Sequence, residues 1–338
     1  MQTRVVHADD ELAHALYRGG SGDIAPPLHA STTFSVDNPL GFAYARTTGT
    51  PVTARVEAVL SELEGGFPAV VFASGLAATH AALEALTDLH GYHGSQLVAR
   101  ARCGGRKMRL VVVEDIEDAL DAGELVLDRR CVVWAETPSN PFNTVVDVEA
   151  LAERVHLAGG LLAVDATFAT PYTLRPLAVG ADMTVHSATK YLGGHSDVLA
   201  GVAAAADPEL VAGLQRSRLH GGACLGALET WLLLRSLRTF PLRIKSQCAS
   251  ATAMAAALAD HPRVATVWHA SLESHPSHAR AVRSMTSGFG AVVTIDVGSG
   301  PAAEAFVAHL KLFANATSLG GAVGRDHRAG RRPPLCWP

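Results

Sequence analysis

Hydrophobic positions along this chain fall into two alternating textures. In one, short apolar runs sit between polar residues. In the other, apolar residues recur every three or four positions. The stretch 51–64, PVTARVEAVLSELE, has the second texture, with a proline in its first turn and Gly65-Gly66 at its stop, and predicts a helix. AVVFAS (69–74) predicts a short strand and GLAATHAALEAL (75–86) a helix. Further on, RLVVVED (109–115), CVVWAE (131–136) and LLAVDA (161–166) are rich in β-branched residues, as suits strands buried in a parallel sheet. DVEALAERVHLAG (147–159) predicts the helix between the last two. This rhythm predicts an α/β fold with an open, mostly parallel sheet and ligands at the carboxyl ends of the strands.

Both ends depart from the rhythm. Residues 1–45 carry Gly19, Gly20, Gly22, Pro26 and Pro27 with little periodicity, and predict an irregular arm. From about residue 238 the pattern predicts a long helix (242–261), an alternating strand (290–297) and another helix (302–316). The expected organisation is an arm (1–45), a large domain (46–237) and a smaller α+β domain (238–338).

Composition narrows the function classes. The 338 residues suffice for a sizeable core. A net charge of -4 argues against a nucleic-acid partner or a membrane surface, and no apolar run is long enough to span a bilayer. The start, MQTRVVHADDE, lacks the apolar core of a signal peptide. Five scattered cysteines form neither a disulfide framework nor a zinc pair, so the expected setting is the reducing cytoplasm. Despite sixteen histidines there is no metal-binding spacing, and His186 and His195 are expected to pack or hydrogen-bond.

Candidate chemistry gathers in HSATKYLGG (186–194), where a strand runs into a turn holding Ser187, Thr189 and Lys190. Upstream, LLAVD ends in Asp165. A lysine and an acid at the ends of neighbouring strands suit pyridoxal 5'-phosphate (PLP). The lysine condenses with the aldehyde, and the acid pairs with the pyridinium nitrogen and keeps the ring an electron sink. Ser187 and Thr189, with the amides at the Ser74-Gly75-Leu76 helix start, suit the phosphate. Arg46, beside Tyr44, has the planar fork that clamps phosphate. Each residue also has a plainer reading: a surface lysine, two helix caps at Asp165 and Ser74, and a solvated loop arginine.

Together these segments resemble the Cys/Met-metabolism family of PLP enzymes, which includes cystathionine γ-synthase, cystathionine γ-lyase and methionine γ-lyase. The matching stretches include IAPPLHASTTF, YARTTGTP, ASGLAA, ETPSNP, VDATFATPYTLRPLAVGADMTVHSATKYLGGHSDVLAG and ATSLGG, in order between about residues 3 and 321. The resemblance implies an aspartate-aminotransferase-like fold (fold type I) and active sites shared between subunits of a homodimer or homotetramer. It implies that Lys190 is the Schiff-base lysine and proton shuttle, and that Asp165 pairs with the pyridine nitrogen. Ser187, Thr189 and the amides of Gly75 and Leu76 would hold the phosphate, with Tyr44 and Arg46 reaching it from the neighbouring subunit. Asn140 and Ser318 would contact the substrate, and Tyr92 would stack on the ring.

Three departures from the family pattern stand out. The segment before Tyr92 is short, Ala166 replaces the usual asparagine after Asp165, and none of Arg325, Arg328, Arg331 or Arg332 matches the family's carboxylate-binding arginine. The small domain therefore reads as truncated relative to the family. The activity implied is a carbon–sulfur lyase acting by α,β- or α,γ-elimination on cysteine-type or S-substituted amino acids. It would release a thiol, ammonia and a 2-oxo acid, with a larger assembly-line protein as a further candidate partner. The alternatives are γ-replacement, as in cystathionine γ-synthase, and a PLP-binding scaffold without turnover.

Overall fold

The computed structural model describes residues 1–12, 25–35, 37–38, 40–86, 116–128, 131–316, 318–322 and 325–326. At its centre is a five-stranded sheet of β1 (Ala69–Phe72), β2 (Val132–Glu136), β3 (Leu161–Asp165), β4 (Met183–His186) and β5 (Gly201–Ala205), in the spatial order β1-β5-β4-β3-β2. β2, β3 and β4 are parallel, whereas β5 is antiparallel to both β4 and β1. Four strands therefore point one way and share one edge for their carboxyl ends, and the sheet is mixed but mostly parallel. β5 reads GVAAA and is buried along its whole length. Alanine has little preference for strands, so hydrophobic pattern alone does not announce it. The predicted strand at 109–115 lies outside the described residues.

Strand alternation divides the interior into two faces. On one, Val70, Phe72, Ala163, Met183 and Val185 pack against the helices Gly75–Ala85 and Pro208–Gly221. On the other, Val71, Val202 and Ala204 meet the helices Pro51–Leu63 and Ala227–Leu237, while Leu162 and Val164 meet the helix Val148–Leu157. Each fully buried valine, leucine or phenylalanine contributes about 1.5–3 kcal/mol to this three-layer arrangement. The helices begin where their caps predict. Thr50 accepts from the Thr53 amide at 3.2 Å ahead of Pro51, and Asp147 accepts from the Ala150 amide at 3.2 Å.

The N-terminal residues are more ordered than their sequence predicts. Gln2–His7 is a short helix whose Val5 enters the core, and Asp9 behind it is fully buried. Asp9 accepts two hydrogen bonds from Arg238, at 2.7 and 2.8 Å, and another from Arg55. A six-residue helix is marginal alone, so these long-range contacts explain what local pattern missed.

Beyond the large sheet, the predicted long helix is Phe240–Ala259. The alternating segment contributes only three residues, Thr294–Asp296 (β7), paired antiparallel with Thr266–Trp268 (β6). The last predicted helix covers Gly300–His309 and stops there, since Ala314–Asn315 instead pairs in parallel with Arg325–Asp326. Among the described residues, no helix is long and apolar enough to cross a membrane.

Candidate functional site

The common edge of β1, β2, β3 and β4 gathers the predicted residues. Lys190 lies in the turn after β4, with its amide on the Ser187 carbonyl at 3.1 Å. The turn closes through Gly193 N–H to Ala188 O and Gly194 N–H to Lys190 O, both at 2.7 Å. A Cβ on Gly193 would stand 2.8 Å from the Ala188 carbonyl, which explains the glycine. The Nζ of Lys190 donates to Ser318 Oγ at 2.9 Å. Ser318 has a left-handed backbone (φ 72°) and opens a segment pressed against the lysine's own main chain. A Cβ on Gly320 would lie 2.7 Å from the Tyr191 nitrogen. Gln247 holds the Gly320 and Gly321 carbonyls at 3.3 and 3.2 Å, and Arg243 holds the Tyr191 carbonyl at 2.9 Å.

Asp165 ends β3, and its Oδ1 accepts from the Thr167 amide at 3.0 Å. Directly opposite, in register, Glu136 ends β2. Its Oε1 accepts from the Asn140 amide at 3.2 Å. Burial, and then the neighbouring Asp165, push the Glu136 carboxyl up to about 8. Burial also raises Asp165, against the lowering effect of the Thr167 contacts and of His186. Glu136 is a residue that sequence reasoning did not single out. The signal was present, because CVVWAE and LLAVDA both end a strand in an acid.

At the other side of the edge, Ser74 caps the helix Gly75–Ala85, accepting from the Ala77 amide at 3.1 Å. None of the described hydrogen bonds uses the Gly75 or Leu76 amide, so both are available to an anion. Ser187 faces this helix start. A Cβ on Gly75 would come within 3.0 Å of the Ser187 Cβ and 3.1 Å of its Oγ. Gly201, opening β5, likewise has no room for a Cβ because the Ser74 carbonyl occupies the place. Thr189 is differently employed. Its hydroxyl donates to Ala200 O at 3.2 Å and accepts from Ala200 N at 3.0 Å, tying the lysine turn to the chain entering β5.

The predicted packing roles of the two histidines are what the structure contains. His195 sits on Gly193 O at 2.8 Å and Ser236 Oγ at 3.1 Å. His186 is buried, with Nε2 2.8 Å from Glu64 Oε1. Burial lowers its pKa, but Glu64, joined by Asp165 and the Ala166 backbone, raises it overall. Asn140 is exposed at the start of the turn after β2. Pro141, Phe142 and Asn143 behind it are fastened to the C-terminal segment. Thr294 donates to Pro141 O at 2.7 Å, and His275 Nε2 lies 2.9 Å from Phe142 O. Asn143 donates to Trp268 O at 3.0 Å and Val292 O at 3.2 Å.

Tyr44 and Arg46 are not at this edge. Arg46 belongs to the short helix Ala45–Thr48, donates to Leu219 O at 3.2 Å and stacks 5.6 Å from the Tyr44 ring centre. They line a separate cavity of about 240 Å³ with Thr50, Arg218 and Cys224. Tyr92 lies outside the described residues. No cluster of potential metal ligands occurs among the described residues.

Comparison with known proteins gives a concordant picture. Residues 2–324 match the family model described as Cys/Met metabolism PLP-dependent enzyme. The chain is 38% identical to a cystathionine gamma-synthase of Mycobacterium tuberculosis, over 91% of this chain and 82% of that protein. It is 34% identical to a cystathionine gamma-lyase of Bacillus subtilis, over 89% and 81%. Among solved structures, an apo methionine gamma lyase from Micromonospora echinospora superposes with a TM-score of 0.86 at 33% identity, covering 95% of this chain and 88% of that one.

Proposed function

The chain belongs to the Cys/Met metabolism family of PLP-dependent enzymes, and from that premise we propose that it is a lyase cleaving carbon–sulfur bonds of cysteine-type or S-substituted amino acids by elimination. Membership makes it an enzyme of PLP-dependent carbon–sulfur chemistry, by elimination or γ-replacement. The residues present fit the cofactor. A basic side chain, an acid and an unused pair of helix-start amides meet at one sheet edge, and Gly75 leaves the space a cradle needs. When bound, PLP supplies an electron sink that acidifies the Cα–H of an amino acid.

The chain's own residues divide the remaining work. Lys190 is the residue that would hold the cofactor at its aldehyde and would move the substrate's Cα proton. Asp165 takes the pyridine nitrogen. Ser187 and Thr189, with the Gly75 and Leu76 amides behind the Ser74 cap, would take the phosphate, Thr189 while bracing the turn through Ala200. Ser318 and Asn140 would receive the substrate carboxylate, and Tyr92, outside the described residues, is the side chain proposed to stack on the ring. Tyr44 and Arg46 act from a second copy in a homodimer or homotetramer, and their exposure at a cavity rim supports that arrangement. A cytoplasmic setting belongs to the same reading, because the chemistry draws on free amino acids.

The observation that carries this reading is the 2.9 Å contact between Lys190 Nζ and Ser318 Oγ, which joins the reactive amine to a substrate-side hydroxyl. The experiment is an absorbance spectrum with PLP, for wild type and Lys190→Ala, followed by addition of L-cysteine or L-cystathionine. A visible band lost in the variant, with release of sulfide or a 2-oxo acid, supports the lyase. A band without release, but with thiol-dependent consumption of an activated homoserine ester, supports γ-replacement instead. That second reading is favoured by the 38% identity to a cystathionine gamma-synthase.

A further inference from the structure

We propose that Glu136 is a positioning residue for the cofactor: Glu136 and Asp165 share one negative charge, and the Glu136 carboxyl thereby governs the charge that Asp165 presents to the pyridine nitrogen. The inference rests on the reading above that Asp165 faces that nitrogen.

The geometry places two carboxyl groups where one is needed. Glu136 and Asp165 are register partners on adjacent parallel strands, so their side chains leave the sheet on the same face as immediate neighbours. That face carries the helix Gly75–Ala85 and Ser187. Each acid accepts one amide from the turn that follows its strand, Asn140 for Glu136 and Thr167 for Asp165. The other titratable groups at these strand ends, among the described residues, are His186, on the opposite face against Glu64, and Lys190, on Ser318. Two like charges side by side in a half-buried place repel, and one proton relieves them. The two environments differ in a way that places the proton. Burial raises both carboxyls; Asp165 is eased by its Thr167 contacts and by His186, whereas Glu136 is raised further by Asp165 and eased only by the Asn140 amide. On the proposed sharing, Glu136 is the partner that carries the proton and Asp165 the one that carries the charge.

The test compares full-length wild type, Glu136→Gln and Asp165→Asn, with and without PLP. Glutamine keeps the shape and the acceptor for the Asn140 amide but cannot ionise. Without PLP, the urea midpoint of wild type should fall between pH 6 and pH 9, and that of Glu136→Gln should fall by clearly less. Equal falls would overturn the shared charge. With PLP at pH 7, Glu136→Gln should bind within about threefold of wild type, and a loss of tenfold or more would overturn the proposal, because Glu136 would then supply an anion of its own. Asp165→Asn should lose PLP affinity at least tenfold. If it binds as wild type does, the assignment of Asp165 to the pyridine nitrogen fails, an outcome the cofactor-free pH comparison distinguishes from a failure of the shared charge.

Discussion

Ser318 accepts a hydrogen bond from the Lys190 ammonium across 128 positions of sequence. It does so from a left-handed backbone conformation, uncommon for serine and held by the packing of Gly320 on the lysine's main chain. The contact brings the C-terminal segment onto the reactive amine. Removing the hydroxyl by Ser318→Ala should leave the fold intact and raise KM for the amino-acid substrate about tenfold, the scale of one hydrogen bond to a charged group. Steady-state kinetics beside a thermal melt checks this. Ser318→Gly should show the same kinetic loss with slightly higher stability, because glycine adopts that backbone freely.

Gly201 fixes the distance between β5 and the start of the helix Gly75–Ala85. The position of the Ser74 carbonyl forbids a Cβ there, so Gly201→Ala must push the helix start away. The expected result is at least a tenfold weaker hold on PLP, measured by titrating cofactor into the variant, with a stability loss of ~1–3 kcal/mol by overpacking.

The Glu64–His186 pair should write itself into the pH dependence of stability. Against the lowering effect of burial, Glu64, with Asp165 and the Ala166 backbone, raises the His186 pKa. A raised histidine contributes stability that is fully present below its unfolded value and lost as pH rises through the folded one. The cost of Glu64→Gln, about 3 kcal/mol for a broken buried pair, should therefore be greatest at pH 6 and smaller at pH 9. Urea unfolding at the two pH values decides. A cost independent of pH would mean that His186 is neutral in the folded protein.

Asn143 is buried at φ 56° and spends both amide protons on carbonyls of the C-terminal segment. Asn143→Asp would turn those donors into an anion facing two carbonyl oxygens, at a cost of ~2–4 kcal/mol. Asn143→Gly keeps the backbone and loses only the tie. Turnover should fall in Asn143→Gly more than stability does, because the turn holding Asn140 is fastened through this residue. A melt and a kcat measurement on each variant check the pair.

What could be read from residues alone was whatever depends on near neighbours. The helix Pro51–Leu63 has its proline and its glycines within its own stretch, and Lys190 shares a turn with Ser187 and Thr189. The missed features depend on distant partners. Gly201–Ala205 is a strand because the sheet's middle needs a thin, buried ribbon, and its alanines do not advertise this. Glu64 finds His186 across 122 positions. Glu136 becomes conspicuous only once register sets it beside Asp165.

The placement of Asp9 has a consequence for anyone handling this protein. Arg55 comes from the first long helix, and Arg238 from the junction between the helices Ala227–Leu237 and Phe240–Ala259. Asp9 is the stitch that lets two cations from separate parts of the chain lie side by side. An expression vector that trims the first ten residues, or a protease that nicks just after them, would remove the carboxylate those guanidinium groups share at the seam where the C-terminal third begins. Damage at the outermost end of the polypeptide would thus be felt at the joint that carries Ser318 to Lys190.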